Sequence, residues 1–225
     1  MKKSMAQETT NRNLAGSRWR SIVPHTELGL ERIVFFSDAV FAIAMTLLAI
    51  EIRLPEENIP PSDLANALLG LMPRYVSFAI SFFVIGLFWL SHHRMFEYIH
   101  VYDRGLLWYN LIFLFLIAFM PFPTAVLGRF PAELTSVVFY AAVVILLALM
   151  RVLLWWHVYY RAHLVRPETD PRVGRVEFYR AVGTAIIFGI SILIAFWDPV
   201  WAMYFWIAII PISIFAGSRE IEKSD

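Results

Sequence analysis

The chain has 225 residues, 59% of them hydrophobic and 16% aromatic, with 19 Lys plus Arg against 18 Asp plus Glu. Soluble domains run at about 45–50% apolar and about 25% charged. A chain with 16% charged residues and a mean hydropathy of +0.63 therefore turns its outer surface to a lipid bilayer. Its net charge of +1 excludes nucleic acid as a default partner. The absence of cysteine excludes disulfides, thiolate metal sites and a cysteine nucleophile.

Residues 1–30 begin with the polar run KKSMAQETTNRN. They lack the apolar core of a cleavable signal peptide and are expected to form a cytosolic tail. A helix needs about 20 mostly apolar residues to cross about 30 Å of hydrocarbon, and six runs qualify. The first is 33–50, with Asp38 as its only charge before Glu51, and the second is 68–96. The third lies between Arg104 and Arg129 and is expected to bend or end at Pro121 and Pro123. The fourth lies between Glu133 and Arg151 and continues to Tyr160. The fifth is 181–197, followed by a tight hairpin at Asp198 and Pro199 and a sixth run at 199–218 with a kink expected at Pro211. The chain reads as an all-α membrane protein: a tail at 1–30, a six-helix transmembrane domain at 31–218 and a tail at 219–225.

Positive residues are retained on the cytoplasmic side. Lys2, Lys3, Arg12, Arg18, Arg20 and Arg32 precede the first span, Arg94 and Arg104 flank the second loop, and Arg161, Arg166, Arg172 and Arg175 fill the fourth. Arg219 and Lys223 follow the sixth. Arg53, Arg74 and Arg129 fall on the opposite side, in company with Glu51, Glu56, Glu57, Asp63 and Glu133. Both termini are thus expected in the cytoplasm. Arg151 and Arg180 lie near the inner ends of their spans, where long side chains are expected to reach the headgroups.

Most spans are apolar on every face, but the first, FFSDAVFAIAMTLLAIEI, carries an acid, a serine and a threonine. An ionisable group within a span is a functional candidate, because burying it unpaired is costly. At about 100° per residue, Ile43, Leu47 and Ile50 fall within about 60° of one another, with Thr46 on the flank. Asp38 lies about 140° from Ile43. Periodicity alone reads the stripe first as ordinary helix packing. At the depth of Ser37 and Asp38, span two ends in FWLSHHR and span three begins with LWYN. This places His92, His93 and Asn110 at the same height as Asp38. Such a cluster reads as an interhelical brace, a gating element or a proton-sensitive site, since histidine titrates near pH 6.5.

The histidines form no HExxH pair or comparable metal-binding spacing, and Walker, GxSxG and GxGxxG motifs are absent. No catalytic constellation and no metal site is expected. A TVGYG filter is also absent.

Arg32, Phe36, Ser37 and Asp38 stand as RxxxFSD at the start of the first span, followed by AVFAIAMTLLAIEI. With FWLSHHRMF and LWYNLIFLFLIAFMPFP in the next two spans, this resembles the endolysosomal potassium channel family (transmembrane protein 175), in its prokaryotic form with one six-span unit. The resemblance covers about the first 125 residues; spans four to six agree in number and length only. It implies a potassium-permeable channel in a prokaryotic cell membrane, a homotetramer with the first helix of each subunit lining a central pore. It also implies a constriction at Ile43, further apolar layers at Leu47 and Ile50, and Thr46 as the polar residue between them. The implied polar network comprises Arg32, Phe36, Ser37, Asp38, one or both of His92 and His93, and Asn110. A ring of branched aliphatic side chains can close a pore by dewetting. Glu51 at the mouth, with Glu56, Glu57 and Asp63 beyond it, either concentrates cations or forms a solvated loop. Potassium would be permeant and no cofactor resident. The competing reading is a proton-coupled transporter that uses Asp38 and His92 or His93 as a relay. An intramembrane enzyme would need a metal cluster or a nucleophile pair that the sequence does not offer.

Overall fold

The structure is a computed structural model and describes residues 27–54 and 59–207. Its elements are α1 (Glu27–Ile50), a 3-10 turn (Pro61–Asp63), α2 (Leu64–Leu69), α3 (Met72–Tyr98), α4 (Arg104–Phe119), α5 (Pro121–Arg129), α6 (Leu134–Trp156) and α7 (Pro171–Ala195). A π-helical turn, His157–Arg161, extends α6, and residues 199–207 are again helical. Among the described residues, five segments are long and apolar enough to cross a membrane: Leu28–Ile50, Met72–Tyr98, Arg104–Arg129, Leu134–Arg161 and Arg172–Ala195. The rest of the expected sixth span, with Pro211, lies outside the described residues, as do Glu56, Glu57, most of the expected N-terminal tail and all of the expected C-terminal one.

Local chemistry sets the helix ends. Asp103 caps α4 by accepting from the Leu106 amide at 2.7 Å, and Asp170 caps α7 by accepting from Arg172 at 2.7 Å. Pro171 opens α7, where its missing N–H costs no hydrogen bond. The third span breaks between α4 and α5, because Pro121 cannot donate to the preceding turn. The Met120 amide instead closes a tighter turn onto the Ile117 carbonyl at 3.1 Å. The helix then resumes with the Thr124 amide bonded to Met120. At the expected hairpin, Asp198 caps the segment 199–207 by accepting from the Val200 amide at 2.8 Å.

α1 packs against α3, α4 and α5, whereas α7 packs on α6 at the other side of the bundle. The stripe that α3 buries recurs at intervals of three and four residues, through Ile80, Val84, Phe88, Ser91 and Met95, the spacing of one helix face. Ser77, Ser81 and His92 share that face. Apolar contact in lipid gives helices little preference for one partner, so polar pairs fix the register. Near the Glu51 end, Ser81 bonds Tyr140 of α6 at 3.0 Å and Thr124 of α5 at 2.8 Å. At the opposite end, the ring nitrogen Nε2 of His157 lies 3.0 Å from both carboxylate oxygens of Asp103, tying the end of α6 to the start of α4. Arg151 departs from the expectation that it reaches the headgroups. It is 8% exposed, because its position on α6 faces the buried seam.

Helices α3 and α5 approach closely at Gly128, where an added Cβ would stand 2.6 Å from Ser77 Oγ and 3.3 Å from the Arg74 Cα. Gly128→Ala is expected to lower stability by about 1–3 kcal/mol, read as a fall of several degrees in Tm of the detergent-solubilised protein. Gly183→Ala, at a position with nothing within 4 Å of the new methyl, is the control and is expected to leave Tm unchanged or slightly raised. Equal Tm values in both variants would show that Gly128 does not set the helix separation.

Candidate functional site

The two faces of α1 have opposite fates. Ser37, Phe41, Ala44 and Leu48 are at most 1% exposed, whereas Ile43, Leu47 and Ile50 are 39–58% exposed. Thr46 is exposed beside them, and its hydroxyl donates to the Ile43 carbonyl at 2.9 Å. Among the described residues, therefore, nothing packs over the aliphatic stripe as it does over the opposite face. The residues that do serve packing lie on the other side of the helix.

The buried face begins with a polar chain that crosses three helices. Asn110 of α4 donates through Nδ2 to Ser37 Oγ at 3.0 Å, and Ser37 donates to the Ile33 carbonyl at 2.8 Å. With its amide nitrogen engaged, Asn110 offers only Oδ1 to His92 Nε2 of α3, 2.9 Å away, so His92 is the donor. The His92 ring is parallel to Phe113 within 5° at 5.8 Å between centroids, and it also meets Phe41 and Phe96 at 5.5 and 4.5 Å. Ser37, His92 and Asn110 are all buried. In an apolar interior each would be costly without its partner.

Asp38 stands outside this chain. Its Oδ1 accepts from the indole Nε1 of Trp89 at 2.9 Å. His93 stacks on that indole, with ring centroids 5.6 Å apart, and its Nε2 lies 3.4 Å from Glu97 at an exposed position. The structure thus separates the two adjacent histidines: His92 belongs to the Ser37 chain and His93 to the surface beside Trp89. Arg32 and Phe36 are exposed and join neither group. Glu51 follows the last turn of α1 and is exposed. Beside it, Arg53 donates through Nε to the Ile50 carbonyl at 2.9 Å, and Arg74 donates to the Arg53 carbonyl. Among the described residues no three His, Asp or Glu side chains gather into a metal-ligating set.

Trp89 is the member of this site that sequence reasoning missed. It lies one turn before His93 on the same face, and an indole N–H within a membrane span usually finds an acceptor. That tendency was the available signal. Phe113 was equally unmarked, since one more phenylalanine in an apolar span carries no distinguishing pattern.

The sequence profile of the family described as endosomal/lysosomal potassium channel TMEM175 matches residues 32–121. A potassium channel of Streptomyces collinus is 35% identical over 169 residues, covering 73% of this chain and 82% of the relative. The crystal structure of a lysosomal potassium-selective channel TMEM175 homolog from Chamaesiphon minutus superposes with a TM-score of 0.75 at 27% identity. That match covers 84% of this chain and 98% of the other. The human endosomal/lysosomal proton channel TMEM175 is 31% identical over 144 residues, which span 58% of this chain and 28% of the human protein.

The separation of the histidines has a measurable consequence. His92→Ala leaves Asn110 Oδ1 without its donor and is expected to cost about 1–3 kcal/mol, seen as a lowered Tm. His93→Ala is expected to stay within about 0.5 kcal/mol of wild type. The reverse order would show that the buried chain runs through His93.

Proposed function

Because this chain belongs to the family of the endosomal/lysosomal potassium channel TMEM175, one of ion channels rather than enzymes, we propose that it is a potassium-permeable channel of a prokaryotic cell membrane. In this reading the chain has six spans with both termini in the cytoplasm, and four copies set α1 around a central pore. The observation that carries the reading is the uncovered face of α1, where Ile43, Leu47 and Ile50 stay exposed while the opposite face holds α1 to the bundle. Symmetric copies of a membrane subunit cover such faces by turning them to one axis.

Ile43 forms the narrowest ring, with Leu47 and Ile50 as further apolar layers. Closure is dewetting: a narrow apolar neck expels water and ions, and opening requires only that the neck widen. Thr46 supplies the polar layer. Its hydroxyl proton is held by the Ile43 carbonyl, which leaves the oxygen lone pairs to face a passing cation. Selectivity drawn from neck width and hydroxyl oxygens is modest. Glu51 at the mouth raises the local cation concentration. Ser37, Asn110 and His92 hold the rotation of α1, and Asp38 with Trp89 steadies its flank beside Arg32 and Phe36. Potassium is the permeant ion and no cofactor is resident.

A second reading, proton-coupled transport, draws on the name of the human relative and on Trp89, which touches both Asp38 and His93. It requires a proton to pass between Asp38 and a histidine, yet the Asp38 oxygen given to the indole is 2.9 Å from nitrogen, and His92 gives its Nε2 to Asn110.

Passive potassium efflux from liposomes containing the purified protein is expected to exceed sodium efflux. In Ile43→Asn it is expected to rise about tenfold, as removal of about 1.4 kcal/mol from the barrier requires. Unchanged flux in that variant would falsify the placement of the constriction. Uphill transport seen only under a pH gradient, and lost in Asp38→Asn, would establish the second reading instead.

A further inference from the structure

A second polar group lies on the side of α3 facing away from α1. Arg151 sits in the buried stripe of α6, between Leu147 and Ala148 on one turn and Leu154 and Trp155 on the next. Its guanidinium carbon lies 5.8 Å from the centre of the Phe88 ring. Its Nη2 is buried and has no hydrogen-bond partner among the described residues. Nε of Arg94, on α3, is likewise buried and unbonded, 3.7 Å from Glu177 Oε1. Glu177 of α7, 7% exposed, has its oxygens engaged elsewhere: Oε1 accepts from Arg180 at 2.8 Å and Oε2 from Ser91 at 3.2 Å. One carboxylate therefore serves a cluster in which two guanidinium groups still hold donors without acceptors. Buried guanidinium groups need an acceptor of opposite charge, and their planar forks match tetrahedral oxyanions.

Depth indicates which anions reach the cluster. Arg94 is about 6 Å from the end of α3 and Glu177 about 9 Å from the start of α7, at 1.5 Å per residue, whereas Arg151 lies deeper, because the π-helical turn carries its helix on to Arg161. In spans of this length, positions so near a helix end fall toward the edge of the hydrocarbon. The side chains of Arg94 and Arg180 are 33% and 30% exposed and form the outer layer, with Arg151 beneath. Basic pockets between transmembrane helices at this level take anionic headgroups.

We propose that the seam between α3, α6 and α7 is a binding site for a phosphate-class anion, either a phosphate-bearing lipid headgroup or free phosphate. Arg94 and Arg151 are its ligands and Glu177 is the internal counter-ion that competes with it. The site is independent of permeation. It adjoins the Ser37 chain along α3, where Ser91 turns to Glu177 and His92 to Asn110.

The test is a thermal-shift titration of the purified full-length protein in detergent. Short-chain phosphatidylglycerol, short-chain phosphatidylcholine and sodium phosphate are each added at constant ionic strength. A rise in Tm with phosphatidylglycerol alone identifies a lipid headgroup, and a rise with sodium phosphate identifies the free ion. Arg94→Gln is expected to weaken the apparent affinity about tenfold, the loss of one charge-assisted hydrogen bond. Glu177→Gln is expected to strengthen it, since the competing carboxylate is neutralised. Opposite shifts from two members of one cluster are not produced by damage to packing. Arg151 is left intact, because its loss also opens the seam. No rise with phosphatidylglycerol or phosphate beyond that with phosphatidylcholine, or equal affinities in wild type and both variants, would overturn the assignment.

Discussion

The rotation of α1 about its own axis depends on Ser37. Its hydroxyl is fully buried among apolar helices, where no water is at hand to satisfy it or its partners. Its proton goes to the Ile33 carbonyl within α1, and its oxygen is the acceptor for Asn110, which in turn accepts from His92, so only this orientation of α1 satisfies the whole chain. Phe41, Ala44 and Leu48 follow it onto the buried side at intervals of three and four residues. Ile43, Thr46, Leu47 and Ile50 are then left on the other side. A shift of one residue, about 100°, would strand the Ser37 chain and turn Asp38 into the apolar core. The polar chain and the aliphatic stripe are thus two results of one orientation, and the proposed pore depends on a hydrogen bond that does not touch it.

Helix α3 extends the same logic to the rest of the bundle. Its buried stripe presents Ser81 to α5 and α6, His92 to α4, and Ser91 to α7. Each of these contacts specifies a partner and a register, where apolar packing in lipid would accept several. Gly128 and Gly105 serve the close approaches: an added Cβ at Gly105 would stand 2.3 Å from the His157 ring, so the start of α4 can lie against the end of α6 only without a side chain there. The proposed anion site is the place where this scheme falls short of internal balance, because the seam holds more guanidinium donors than its carboxylate can serve.

Much of the site was legible in the sequence. The Ile43, Leu47 and Ile50 stripe and its angle to Asp38 followed from helical periodicity, and the common height of Ser37, His92 and Asn110 followed from counting residues into three spans. The resemblance of RxxxFSD and HHR to a known family supplied the reading that periodicity left open, a stripe that lines a pore, which is here a proposal. The choice of His92 over His93 was not legible, since adjacent residues share a depth and differ only by rotation. Nor was the pairing of Asp38 with Trp89, because an acid near two histidines suggests them first. Arg151 was read as reaching the headgroups from its distance to the span end; its position on the wheel, in line with Leu147 and Leu154, carried the contrary signal.

Composition and periodicity by themselves determined that this chain crosses a membrane and where five of its helices lie. They also determined which face of the first helix is aliphatic. These are properties of a residue and its neighbours within a few turns, set by transfer into lipid and by the 100° repeat of the α-helix. Which polar groups meet was decided only by the tertiary structure, because the partners bonded between helices stand from 18 to 86 positions apart in the chain. Their pairing depends on how each helix is rotated against the next, and that rotation is chosen by all the buried polar groups together.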